Sequence, residues 1–268
     1  MIFDDLNLDL TLGCGQVFRW RKEHGWWKGV LAGRVVRLRQ QGSRVDVVGG
    51  VADDALLSYF RSDDDLDDIV QEISKDGFVE KLVKNYKGLR LIRQDPWECA
   101  ASYTLATFAS IPRIEGMIEN ICRAFGDEIS DGVYSFPRPE EILSNADKAS
   151  HCNLGFRCRR FVDFARRVCD ADLDFERLRR VRYEECVRTL KQFEGIGDKV
   201  ADCIALFSLD HLEAFPIDVR IRRAMENRYG MRGSYREISE CARTYFGRYA
   251  GYAQEYIYLS EDKNQKDA

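Results

Sequence analysis

Apolar and polar residues alternate through "GWWKGVLAGRVVRLRQQGSRVDVVGG", residues 25–50. With Gly33 and "QGS" at turn positions, this period of two predicts a short antiparallel sheet, and the whole stretch from Leu8 to Val48 reads as strands. From Val51 the period lengthens to that of helices. "SDDDLDDIVQEI" places acidic residues where a helix dipole favours them, so it reads as a solvated helix start. No second oxygen-rich cluster accompanies it to suggest a metal. "RQDPWECAASYTLATFASIPRIEGMIENICRAFG" predicts two helices broken where Pro112 follows Ile111. "FPRPEEIL" reads as a short helix opened by prolines. Further helices are predicted at about 157–170, 183–192, 199–210, 219–229 and 234–259. The fold class is therefore α+β. A small N-terminal antiparallel β-sheet domain with helices (1–88) joins a larger all-α body (89–260). The C-terminal helix could pack back on the first unit, and residues 261–268 read as a disordered tail.

Composition narrows the field. The chain has 268 residues, 45% hydrophobic and 32% charged. No apolar run approaches the roughly 20 residues needed to span a bilayer, so no membrane role is expected. "MIFDDLNLDL" lacks the basic-then-apolar pattern of a leader, which makes the expected location intracellular, and cytoplasmic with nucleoid association in a prokaryote. Nine cysteines are scattered without a C-x-x-C pair, and His24, His151 and His211 lie far apart. This spacing fits reduced, mostly buried thiols, with no zinc or iron–sulfur site. Net charge is −4, but its distribution is uneven. Residues 1–150 hold 19 Lys+Arg against 25 Asp+Glu, whereas residues 151–250 hold 20 against 16. A basic excess on one lobe is compatible with a nucleic-acid surface there.

That lobe contains "FEGIGDKVADCIALF", residues 193–207. A helix ending near Phe193, a G-x-G turn and a helix starting near Asp198 make a helix–hairpin–helix motif. Gly195 and Gly197 allow positive φ and present bare backbone N–H groups, which with the helix N-terminus can hold a phosphate oxygen. The glycine spacing is too short for a P-loop, and Val200 stands where Ser or Thr would be. Lys199 has two readings. It is an exposed lysine or phosphate contact, or it is a nucleophile whose neutral form is favoured by the helix N-terminus and a partly apolar setting. Cys203 lies one turn on, on the same face. Asp218, in "FPIDVRIRRAMENRYG", reads as an N-cap, and a capping carboxylate can also stabilise developing positive charge. Asp202 is within one turn of Lys199, and spacing alone does not choose between the two.

Four separated blocks then carry a resemblance. "LDLTLGCGQVFRW", "GLRLIRQDPWECAASY", "GIGDKVADCIALFSLDHLEAFPIDV" and "YAGYAQEYIY" resemble, in order, the 8-oxoguanine DNA glycosylases of the helix–hairpin–helix superfamily. The resemblance implies a bifunctional glycosylase and AP lyase of base excision repair. Lys199 matches the amine that attacks C1′ of a flipped nucleotide, expels the base and forms a Schiff base before β-elimination. Asp218 matches the carboxylate that stabilises the sugar cation. Gly15 matches the glycine whose carbonyl accepts the N7–H of 8-oxoguanine. Normal guanine would offer a lone pair there. Gln254 matches the glutamine at the Watson–Crick edge. Cys203 and Tyr258 match the walls of the base stack, with Tyr258 replacing the usual phenylalanine. Arg113 and Arg157 match the arginines that address the orphaned cytosine, and Phe156 matches the wedge.

Two positions depart from the family pattern. Phe108 stands where an asparagine fills the vacated hole, and it cannot read cytosine by hydrogen bonds. Arg220 stands where a histidine is common, though it can still contact phosphate. The resemblance implies double-stranded DNA containing 8-oxoguanine as partner, a monomer, and no required cofactor, although a monovalent cation could sit on the hairpin backbone. Competing readings are a related glycosylase for other oxidised or alkylated bases and a non-catalytic DNA-binding module.

Overall fold

The computed structural model of the chain describes residues 1–130, 132–170 and 173–266. The first expected strand is instead a helix, α1 (Leu8–Gly13). Asn7 caps it by accepting the Leu10 N–H at 3.1 Å, and Leu8 and Leu12, one turn apart, are both buried. The alternating stretch forms four antiparallel strands in sequential order: β1 (Arg21–Glu23), β2 (Trp26–Leu31), β3 (Arg34–Gln41) and β4 (Arg44–Val48). Val36, Leu38 and Val45 line its buried face, and they share a small core with Phe3, Leu8, Leu56 and Phe60.

Helices follow: α2 (Asp53–Tyr59), α3 (Leu66–Ile73) and α4 (Gly77–Asn85). The acidic run opens α3 as its pattern predicts, with Asp65 accepting the Asp68 N–H at 3.0 Å. Next come α5 (Pro96–Thr104) and α6 (Ile111–Phe125), and their break lies ahead of Pro112. That proline occupies the first turn of α6, where a missing N–H costs nothing. The chain turns instead over residues 105–110, with Phe108 at φ +52°. A small hairpin that the sequence did not signal, β5 (Glu128–Ser130) and β6 (Val133–Tyr134), precedes α7 (Pro139–Ser144).

The remaining helices are α8 (Arg157–Cys169), α9 (Phe175–Arg180), α10 (Tyr183–Leu190), α11 (Asp198–Ser208), α12 (Val219–Tyr229), α13 (Tyr235–Phe246) and α14 (Ala250–Lys266). The single helix expected over 234–259 is divided, because Gly247 at φ +78° ends α13. Helix α14 runs through 261–266, where the sequence suggests a disordered tail, and residues 267–268 lie outside the described residues. It packs on α3 and α4 as well as on α12 and α13.

The main core surrounds α11, whose residues from Val200 to Ser208 are all buried. Behind its C-terminus Asp210 receives Arg61 at 2.7 Å, Arg93 at 2.9 Å and Arg179 at 3.4 Å. Burial pushes the Asp210 carboxyl up, but these guanidiniums outweigh it and hold its pKa below the usual carboxylate range. The loop from α11 to α12 is thereby fastened at its start. All nine cysteines are free, and six are buried. Among the described residues no helix is long and apolar enough to cross a membrane.

Candidate active site

Lys199 stands in the first turn of α11, half-buried, with Gly197 as N-cap. Gly195 adopts φ +91°, and a Cβ there would press on the Arg160 side chain at 3.3 Å. Gly197 has an ordinary φ of −89°, and a Cβ would meet nothing within 4 Å, so this end of the hairpin is open. The Lys199 amine lies 5.2 Å from the Tyr103 ring centroid. Cys203, one turn on, lies close enough for the Lys199 charge to act on its thiol. Burial drives the Cys203 pKa up to about 11 despite that neighbour, so this wall of the site is a neutral thiol.

The two aspartates that spacing could not separate have different surroundings. Asp202 points away from Lys199 into the core and is 1% exposed. Its Oδ1 accepts the Tyr183 hydroxyl at 2.5 Å and its Oδ2 the Tyr235 hydroxyl at 2.6 Å. The Tyr235 oxygen in turn accepts the Ile217 N–H at 3.1 Å. Asp218, the next residue, caps α12 through Oδ1, which accepts the Ile221 N–H at 2.8 Å. Among the described residues that is the one hydrogen bond of its side chain, so half of this carboxylate remains available. Asp202 therefore positions the backbone from which Asp218 projects.

A third side of the site comes from α1 and α14. Gly15 has φ +96°, and a Cβ on it would approach Ile111 Cδ1 to 2.9 Å. The carboxamide of the next residue, Gln16, braces this turn by donating to the Thr11 carbonyl at 2.9 Å and the Arg90 carbonyl at 3.0 Å. Gln254 on α14 is buried, and its Oε1 has no hydrogen-bond partner among the described residues. An orphaned buried acceptor is costly unless a ligand satisfies it. Tyr258, one turn further on, receives Arg220 Nη1 at 3.3 Å, and the same guanidinium lies 5.3 Å from its ring centroid. Arg220 thus ties the head of α12 to α14.

Phe108, Arg113, Phe156 and Arg157 form a second group. Phe108 is 93% and Phe156 58% exposed. Arg157 is buried between them, with its guanidinium 4.3 Å from the Phe156 ring centroid. It donates to the carbonyls of Thr107 and Phe108. Burial, with Arg113 and Arg160 nearby, lowers its pKa. It therefore braces the Phe108 turn from within, while Arg113 at the head of α6 is exposed. An exposed aromatic ring on a left-handed, non-glycine residue is an unfavourable arrangement of the kind kept for function.

Three contributors lie within the motif blocks but are given no role there. Tyr103 lies beside the Lys199 amine, Val219 is 76% exposed beside Asp218, and Glu255 is buried next to Gln254. Only Glu255 carried a signal, as a lone charge in the apolar run "YAGYAQEYIYL". Among the described residues no group of three or more His, Cys, Asp or Glu could hold a metal.

Residues 3–100 match the family model for the 8-oxoguanine DNA glycosylase N-terminal domain. The structure of MBOgg1 in complex with a low-affinity DNA ligand superimposes at TM-score 0.92 with 32% identity, covering 98% of this chain and 94% of that one. The Clostridium acetobutylicum 8-oxoguanine glycosylase/lyase, solved with double-stranded DNA containing cytosine opposite 8-oxoguanine, gives 0.91 with 30% identity, over 98% and 93%. The N-glycosylase/DNA lyase OGG1 of Arabidopsis thaliana is 28% identical over 289 residues, covering 98% of this chain and 79% of its own.

Proposed function

The chain belongs to the 8-oxoguanine DNA glycosylase/lyase family, and on that premise we propose that it flips 8-oxoguanine out of duplex DNA, excises it and nicks the abasic strand. What supports this reading is the place of two residues at the heads of two helices, both close enough to act on the buried Glu255. Lys199 opens α11 beside a neutral thiol, and Asp218 opens α12 with one oxygen uncommitted.

In this reading the neutral amine of Lys199 attacks C1′. The C1′–N9 bond breaks, its electron pair leaves with the base, and the proton released by the amine neutralises that base. Asp218 stabilises the positive charge that develops on the sugar. The C1′–O4′ bond then breaks with its electron pair on O4′, which takes that proton from the base, and an iminium remains between Lys199 and C1′. The base anion left behind accepts a C2′ proton, and the 3′ phosphate departs by β-elimination with its electron pair. Every atom for these steps comes from the chain and the DNA, so the reading calls for no redox or metal cofactor. A monovalent cation on the hairpin carbonyls would assist backbone binding only.

The extruded base would lie between Cys203 and Tyr258. The unpaired Gln254 Oε1 suits a donor on its Watson–Crick edge, and the Gly15 carbonyl suits the N7–H. Phe108 and Phe156 would enter the stack from which the base departs, repaying part of the few kcal/mol of unstacking. Gly195, Gly197 and Arg220 would hold phosphates, and Arg113 would reach the opposite strand. Arg157 would act mainly through Phe108. The expected partner is duplex DNA met by a single chain inside the cell.

The test is a duplex carrying one 8-oxoguanine, followed for released base and for strand cleavage. Both products are expected, with excision at least ~100-fold faster than from guanine, because the unpaired acceptor at Gly15 penalises normal guanine. Intact DNA and no free base after prolonged incubation would overturn the reading.

A further inference from the structure

Glu255 is 3% exposed, one residue from Gln254 and one turn before Tyr258. No ion pair holds it among the described residues. A carboxylate at that depth is expensive without a cation, whereas a neutral carboxyl needs only a hydrogen-bond partner. The Cys14 thiol, on the residue before Gly15, is the polar side chain that acts on it most strongly. Cys14 also faces the Thr11 carbonyl at 3.4 Å and receives Gln16 Nε2 at 3.3 Å.

Proton counting links these contacts to the turn. A thiol has one proton to give. With Glu255 neutral, its O–H donates to Cys14 Sγ, and the S–H stays on Thr11. With Glu255 ionised, the S–H must turn to the carboxylate, and the contact to Thr11 is lost. Ionisation thus rearranges the bonds that set the Gly15 turn and places an anion in the Lys199 site.

Resting on the glycosylase reading, we propose that Glu255 is a positioning residue that works in its neutral form: it pins the Gly15 turn to α14 through Cys14 and keeps a buried anion away from Lys199. An ionised Glu255 would bind up the Lys199 side chain by charge attraction and repel the negative charge of the departing base. Both effects slow excision.

The groups that act on Glu255 come from four elements. They are Cys14 after α1, Tyr103 on α5, Lys199 and Cys203 on α11, and Asp218 at the head of α12. On α14 itself, Tyr252 turns away to Asp64 and Tyr256 is influenced by Arg90. Burial raises the Glu255 pKa to about 7. Asp218 adds to that rise, while Cys14 and Lys199 oppose it. The change of state therefore falls inside a range where excision can be measured.

The experiment measures single-turnover release of 8-oxoguanine from pH 5.5 to 9 for wild type, Glu255→Gln and Cys14→Ala. The amide of Glu255→Gln can still donate to Cys14 but cannot ionise. Its rate relative to wild type should be constant below about pH 6, rise through pH 7 and reach about three- to ten-fold by pH 8.5, since one pKa unit is a factor of ten. Cys14→Ala keeps the carboxyl but removes a bond that favours its charged form, so the wild-type loss should begin at higher pH. A rate ratio that stays flat through pH 7, or an onset unmoved in Cys14→Ala, would overturn the proposal even if either variant were less stable. Wild-type protein that releases no base at any pH would overturn the functional reading instead, which distinguishes the two failures.

Discussion

Asp202 and Asp218 both follow Lys199 along the chain, and the fold uses them in opposite ways. Both oxygens of Asp202 are committed to tyrosine hydroxyls inside the core. Asp218 gives one oxygen to its helix and keeps the other. The same contrast separates the two regions they represent. Behind α11, polar groups are matched to one another, as in the arginine cluster on Asp210. In front of it lie an unpaired Gln254 oxygen, an exposed Phe108 and an exposed Val219. A matched polar network stiffens a frame, whereas unmatched groups on a stiff frame are those a ligand can complete.

The largest expected contrast is between these aspartates. Asp218→Asn should lower single-turnover excision by ~100-fold or more while binding and melting temperature change little, because only charge at the reacting carbon is lost. Asp210→Ala should show the reverse. It strips the buried Arg61 of its ion-pair partner, at a cost of about 3–5 kcal/mol of stability by denaturant unfolding. A comparable loss of melting temperature in both variants would erase the distinction.

Tyr235→Phe sharpens the comparison, since it cuts the bridge between frame and site. The Ile217 N–H and an Asp202 oxygen each lose a partner. Stability should fall by about 1–3 kcal/mol, and excision should fall several-fold with little change in KM. A variant that loses stability alone would show that Asp202 does not position Asp218.

The frame also carries a pH signature. Burial raises the Asp202 pKa to about 6, against the opposing pull of Tyr183 and Tyr235. The folded state therefore binds that proton more tightly than the unfolded chain does. Its contribution to stability is complete below the unfolded pKa of about 4 and is lost as pH rises through about 6, an amount on the order of 3 kcal/mol. Asp202→Asn cannot ionise, so urea unfolding from pH 4 to 7 should show a flatter profile than wild type.

Phe108→Gly has the smallest expected effect on stability. Relieving a left-handed phenylalanine should stabilise the free protein by about 0.5–1 kcal/mol. It should also slow excision from duplex DNA more than from single strands, where there is no stack to enter.

Much of this was legible in the chain. The alternation in residues 25–50 gave the sheet, and the four motif blocks gave the family and the candidate residues. Strand period was misleading at Leu8, where a cap at Asn7 and two leucines a turn apart make a helix. Gly247 could not be recognised as a divider, because a glycine ends a helix only when the chain must turn there. The choice between Asp202 and Asp218 depends on Tyr183 and Tyr235, which reach the core from α10 and α13, and no local spacing reports such a contact. Arg157 is similar: its charge reads as surface, yet its carbonyl partners on the Phe108 turn bury it.

The central claim is that Lys199 is the nucleophile, and borohydride trapping tests it most directly. Reducing the mixture of protein and 8-oxoguanine duplex should give a covalent protein–DNA adduct whose proteolytic map places the link on Lys199. Lys199→Gln, folded and still able to bind the duplex, should give none. An adduct of undiminished yield in Lys199→Gln, or a link mapped to another residue, would contradict the account.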